Sequence, residues 1–293
     1  IRNHTCDMLK TRYNDRVHVE NEYVEKTIER FCGYGFEEER VFIHKSYIHW
    51  HEKVADSIRI SIDAIPTLRN YCQEGLITDD VSDEFYGVLN PSDRNKQLHS
   101  DYRQELKTIF KKINTWLHNK RMYEEKKLMH VSGMAGCGKS HLLYRKAETI
   151  TSKQRVYMFL GSEFSSLEDP VTTMARAMGW RDSDPLKELN DELELESGNT
   201  ATIIIDALNE GTGTHFWAEH LPVLKEKILR YSHLKLIVSL RTLSKEDLLN
   251  EQLRYDWLKV EVEGFADREK AIIDYFKEYD IRTDEAPYTK IKE

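Results

Sequence analysis

Two short stretches of this chain carry the residue types that do chemistry. The first, Gly133-Met134-Ala135-Gly136-Cys137-Gly138-Lys139-Ser140, fits the pattern G-x-x-x-x-G-K-[ST]. Glycines at these spacings let a loop wrap so tightly that successive backbone N–H groups point inward at an anion, and a helix beginning beside the lysine turns its positive end to the same anion. Lys139 would reach the β- and γ-phosphates of a nucleotide and Ser140 would hold Mg²⁺, with Met134, Ala135, Cys137 and His141 completing the loop and the first helical turn. The second stretch, "ATIIIDALNEG" from Ala201 to Gly211, runs five small or apolar residues into Asp206 and then offers Asn209 and Glu210. An Asp at a strand end is also a common turn cap. With a phosphate loop upstream, Asp206 reads as the second Mg²⁺ ligand, acting through water.

These residues need a scaffold that brings them together. Leu128 to Val131 reads as a short strand entering the loop, and a helix follows it. The Ile-rich run before Asp206 shows no polar alternation, which suits a strand covered on both faces of a parallel sheet. "RVYMFLG", "LKLIVSLRT" and "WLKVEVEGF" read as further strands. Between them lie a helix opening at Asp169-Pro170, a helix over "HFWAEHLPVLKEKILRYSH" and, after the last strand, a helix from about Asp267 to Tyr279. Strands alternating with helices predict a parallel three-layer α/β fold, with ligands at the carboxyl ends of the strands. Arg241, last in its strand, would lie beside Asp206 and match the charge of a γ-phosphate; the other reading is a surface ion pair. "SDPLKELNDELELESGN" reads as an acidic surface helix or loop. Leu106, Ile109, Phe110, Ile113, Trp116 and Leu117 recur at helical spacing between Tyr102 and Met122, one apolar stripe facing a core. Residues 1–98 read as mainly helical and irregular, with a helix from Ile48 towards Ala64 before Pro66 and a polar break around Pro91.

Composition narrows the function classes. At 293 residues with a net charge of −8 and a pI near 5.9, the chain offers no electrostatic footprint for DNA or an anionic membrane. It has no apolar run of transmembrane length and no signal peptide. Cys6, Cys32, Cys72 and Cys137 lie far apart with no C-x-x-C pair, which fits reduced thiols in a cytoplasmic protein. His49 and His51 lack Cys or acidic partners at ligand spacing and read as solvated or core histidines. An N-K-x-D type of base-reading motif is missing, so ATP is expected over GTP. The chain opens at Ile1 and ends in "TKIKE", and reads as part of something longer.

Asp206-Ala207-Leu208-Asn209-Glu210 resembles the extended Walker B of NACHT-type STAND NTPases, and Ser239-Leu240-Arg241 resembles their sensor strand. Gly264-Phe265 with a following helix resembles the opening of their helical lid. "FLGSEFSSLEDPVTTMARAMGW" and "HLPVLKEKILRYSHLKLIVSLR" are similar to the prokaryotic antiviral STAND branch, the Avs type, as is "TRYNDRVHVE" near the start. The likeness covers roughly Tyr102 to Tyr279. It implies a helical flanking region over 1–98, a P-loop NTPase core over 99–264 and the start of a lid over 265–293. It also implies an ATP- and Mg²⁺-dependent switch that oligomerises when a C-terminal sensor recognises a protein trigger, with no direct nucleic-acid binding by this part of the chain. Asn209 stands where such proteins often have an acid, so Glu210 would carry the catalytic base role, with Asn209 holding the water or the γ-phosphate. Ala207 occupies the place where many related ATPases carry their glutamate, which implies slow turnover. The alternatives are a non-hydrolysing nucleotide-binding scaffold and an AAA-type remodelling or helicase-loading ATPase.

Overall fold

The computed structural model describes residues 22–57, 100–152, 154–164, 168–179, 184–196, 200–210, 213–244 and 256–264. They fall into two compact units, the described part of 33–125 and the described residues outside it. The helix expected from Asp267 to Tyr279, the break around Pro91 and the far end of the helix expected towards Ala64 lie outside the described residues.

The larger unit is an α/β structure built on a five-stranded sheet, every pairing of which is parallel. Its elements are α1 (Glu22–Phe31), β1 (Leu128–Gly133), α4 (Lys139–Thr151), β2 (Arg155–Leu160), α5 (Pro170–Met178), α6 (Pro185–Leu195), β3 (Ala201–Asp206), α7 (Gly213–Arg230), β4 (Leu234–Arg241) and β5 (Trp257–Val262). The spatial order is β2-β3-β4-β1-β5. All six residues of β3 and the first seven of β4 are buried, the polar Thr202, Asp206, Lys235 and Ser239 among them, as expected of strands covered on both faces.

Strand alternation sends neighbouring residues to opposite faces. On one face Ile203, Ile205, Leu236, Val238 and Leu240 join Met174 of α5, Leu186 and Leu189 of α6, and Trp217 and Leu221 of α7 in a single core. Trp217 is fully buried there, with the Phe164 and Phe216 rings edge-on at 4.8 and 5.0 Å. On the other face the Thr202 hydroxyl donates to Cys32 Sγ at 3.6 Å, and Lys235 donates to the Phe31 carbonyl with its ammonium 5.0 Å from that ring's centre. The end of α1 therefore lies on this face. Ion pairs join α1 to α4: Lys146 is buried between Glu25 at 2.7 Å and Glu29 at 2.6 Å, and Arg145 also meets Glu25.

The acidic segment read as a surface helix or loop is a helix with one buried face. Pro185 opens α6, and the Asp184 side chain caps it by accepting from the Lys187 N–H at 3.2 Å. Leu186, Leu189 and Leu193 are buried at helical spacing, and buried Asn190 accepts from the His233 N–H at 3.1 Å, tying α6 to the start of β4. The acids lie outward, where Glu192 and Glu196 hold Arg155.

In the smaller unit α2 (Phe36–Ser57) and α3 (Ser100–Glu125) pack together. The helix expected from Ile48 starts at Phe36. Ile109, Ile113 and Trp116 of the expected stripe are buried, and the Trp116 indole N–H donates to the Phe36 carbonyl at 2.9 Å. Among the described residues no helix is long and apolar enough to cross a membrane.

Candidate nucleotide site

The loop between β1 and α4 is shaped by its glycines for two different reasons. Gly136 (φ +71°) and Gly138 (φ +87°) take the left-handed conformation that L side chains resist. At Gly133 the constraint is space, since a Cβ would stand 2.5 Å from the Val262 carbonyl oxygen and 2.8 Å from Cys137 Sγ. Gly138 caps α4 and, as a glycine, has no side chain to offer the N–H groups of the first turn. Lys139, 9% exposed, folds over the loop: its ammonium donates to the carbonyls of Gly133 at 2.9 Å and Met134 at 2.8 Å, with Cys137 Sγ at 3.5 Å. Ser140 is half-buried next to it, while Met134 and Ala135 are exposed on the outside of the loop. Burial holds the His141 imidazole below its ordinary pKa, and the Asp206 carboxylate pulls it the other way, so the first turn of α4 lies within electrostatic reach of Asp206.

The carboxyl ends of three adjacent strands meet this loop. β4 lies between β1 and β3, and its Arg241 pairs in register with Gly133. Asp206 closes β3 next to the last registered pair of that ladder, Ile205 with Val238, and is 1% exposed. Ser239 stands level with it, two residues or about 6.6 Å short of Arg241 along β4. The Ser239 hydroxyl donates to Asp206 Oδ1 and accepts from the Ala207 N–H at 2.8 Å. After Asp206 the chain turns sharply, with Ala207 at φ 58°, the Leu208 N–H donating to the Ser239 carbonyl at 2.9 Å, and the Glu210 N–H donating to the Ala207 carbonyl at 2.9 Å. Glu210 is exposed at the end of this turn, and Arg241 is exposed beside it on β4. The oxygen of Asn209 accepts from the Arg241 N–H at 3.1 Å and so extends the join between β3 and β4.

No protein-family model and no curated protein matches the chain. Among solved structures it is similar to Drosophila ORC bound to GC-rich DNA and Cdc6, at TM-score 0.35 and 11% identity over 66% of this chain and 72% of that one. It is also similar to Cdc6p from Pyrobaculum aerophilum, at TM-score 0.33 and 16% identity over 63% of this chain and 49% of that one. A third likeness is to domain III of the Thermotoga maritima replication initiation protein DnaA, at TM-score 0.35 and 17% identity over 58% of this chain and 69% of that one. Likenesses this low carry no functional argument, so the site stands on its own residues.

Those residues fit a magnesium nucleotide. The Ser140 hydroxyl and the Asp206 carboxylate are hard oxygen donors of the kind Mg²⁺ takes, to be completed by phosphate oxygens and water. Among the described residues no cluster of three or more His, Cys, Asp or Glu could hold a metal unaided. Two further contacts depend on strand pairing. The Ser239 hydroxyl, in the stretch that resembles a sensor strand, meets Asp206 only through cross-strand register. Gly161, after β2, lies so close to the turn that a Cβ would stand 2.3 Å from the Ala207 carbonyl oxygen.

Proposed function

We propose that this chain is the nucleotide-binding part of an ATP-dependent switch that hydrolyses ATP slowly. One observation carries the reading: a glycine-shaped phosphate loop on β1 stands beside strand ends bearing Arg241 on β4 and a buried Asp206 on β3. The loop N–H groups and Lys139 would hold the phosphates, and Ser140 and Asp206 would hold the metal. Mg²⁺ bound there would neutralise charge on the β- and γ-phosphates. Arg241 would meet the γ-phosphate. Glu210 would orient and deprotonate a water whose oxygen attacks the γ-phosphorus as the bond to the bridging oxygen breaks. The exposure of Glu210, with no acid at Ala207, supports slow turnover. The residue likeness to antiviral STAND proteins supports a defence role, with ATP-dependent homo-oligomerisation after a protein trigger is sensed.

The AAA-type reading, a remodelling or helicase-loading ATPase, uses the same loop and strand ends. Turnover separates the two. ATP titration with and without Mg²⁺ and phosphate release with and without duplex DNA are the experiments. Mg²⁺-dependent ATP binding with slow release, unchanged by DNA, is the expected result. Fast, DNA-stimulated release would favour the remodelling ATPase, tight Mg·ATP binding without release would favour the scaffold, and no ATP binding would overturn the site altogether.

A further inference from the structure

We infer that Ser239 is the positioning residue that aims Asp206 at the metal, an inference that rests on the magnesium-nucleotide reading of the site. The ladder between β3 and β4 ends with Ile205 opposite Val238, so the next position on each strand brings Asp206 level with Ser239. Strand alternation puts both side chains on the face that carries Thr202 and Lys235, the face of α1. Asp206 is 1% and Ser239 0% exposed, so water does not compete for this contact.

A serine hydroxyl has one proton to give. Here the oxygen accepts the Ala207 N–H at 2.8 Å, and its single proton goes to Asp206 Oδ1. The relay from backbone N–H through hydroxyl to carboxylate sets the rotation of the Asp206 carboxylate about its last side-chain bond. The relay starts at Ala207, in the left-handed conformation at φ 58°, so the same hydroxyl that orients the carboxylate through one bond holds the turn in its costly geometry through another. The Ser239 carbonyl takes the Leu208 N–H at 2.9 Å, so both polar groups of this residue grip the turn after β3. With the bond from the Arg241 N–H to Asn209, these contacts tie Asp206, the Glu210 turn and the end of β4 into one frame. A buried serine that served packing alone would need none of this direction.

The experiment measures ATP affinity with Mg²⁺ and with EDTA, together with thermal melts, for wild type, Asp206→Ala and Ser239→Ala, Ser239→Thr and Ser239→Val. Thr and Val share a shape, so the difference between them reports the hydroxyl even where the Ala variant folds poorly. The expected result is that Ser239→Ala and Ser239→Val lose about tenfold or more of the Mg²⁺-dependent gain in affinity, the scale for a lost hydrogen bond to a charged group. Their affinity in EDTA should stay within about threefold of wild type, and Ser239→Thr should recover the Mg²⁺-dependent gain. If Asp206→Ala removes the gain while Ser239→Ala and Ser239→Val keep it in full, the positioning role is overturned and the nucleotide reading survives. If affinity falls equally with and without Mg²⁺, Ser239 is structural only, and the role is again overturned. If wild type shows no Mg²⁺-dependent gain, the nucleotide reading fails and the role falls with it.

Discussion

Replacing Gly133 with Ala separates two reasons for a glycine in the phosphate loop. The added Cβ would stand 2.5 Å from the Val262 carbonyl oxygen, and the Gly133–Val262 pair closes the registered ladder between β1 and β5. Cys137 Sγ, at 2.8 Å, can rotate away, but a strand carbonyl cannot, so β5 or the loop must shift. An extra carbon forced into packed backbone costs about 1–3 kcal/mol. In a domain of this size that lowers the melting temperature by roughly 2–4 °C per kcal/mol, so a fall of several degrees is expected. Gly136 is the control. Nothing lies within 4 Å of its added Cβ, and only the φ of +71° penalises a side chain, at about 1 kcal/mol. Melts and ATP titrations of Gly133→Ala and Gly136→Ala side by side test the contrast. The expected outcome is weaker nucleotide binding in both, with the larger melting loss in Gly133→Ala. An unchanged melting temperature in Gly133→Ala, or a larger loss in Gly136→Ala, would refute the steric argument.

Lys139→Ala should weaken ATP binding by about 2 kcal/mol or more, as for a truncated charge-assisted contact, measured by titration with labelled ATP; unchanged affinity would remove Lys139 from the site. Asp206→Ala should lose Mg²⁺-dependent ATP affinity and hydrolysis together, whereas Glu210→Gln should keep Mg·ATP affinity within a few-fold and lower single-turnover phosphate release by about 10²-fold or more. Wild-type release in Glu210→Gln would move the base role elsewhere. ATP should bind more tightly than GTP in parallel titrations, and the reverse order would sink the adenine preference. Burial pushes the Cys32 thiol from 9.0 to about 11, outweighing its bond to Thr202 and the charge of Lys235. The native thiolate fraction at pH 8 is therefore about a hundredfold below that of an ordinary thiol, and peptide mapping after iodoacetamide treatment should find Cys32 unlabelled until the protein is unfolded.

The parts of the site legible in the sequence are those whose chemistry demands particular residues at fixed local spacing. Gly136, Gly138 and Lys139 belong to one contiguous turn, and Asp206 ends an Ile-rich run that suits a covered strand. Ser239 was not legible as a partner of Asp206, because their meeting depends on the pairing of strands distant in the chain. The start of α2 had local signals that its weak apolar periodicity obscured: Gly35 at φ +81° before it, and Glu37, Glu38 and Glu39 in a first turn that favours negative charge. The buried face of α6 was hidden by acids that share the helix with Leu186, Leu189 and Leu193. The α/β fold itself was readable because β1, β3 and β4, buried along almost their whole length, are short runs rich in apolar residues set between helices.

The place of β1 in the sheet bears on how the protein is made. Among the described residues its ladders are with β4 and β5, whose matching residues are synthesised roughly a hundred residues later. As the chain leaves the ribosome, the strand that carries the phosphate loop must wait with both hydrogen-bonding edges open, although β2 and β3 can already pair. A transcript cut short anywhere between α4 and β5 would yield a chain that bears the nucleotide motif yet leaves at least one edge of its strand open, a form suited to clumping rather than to binding.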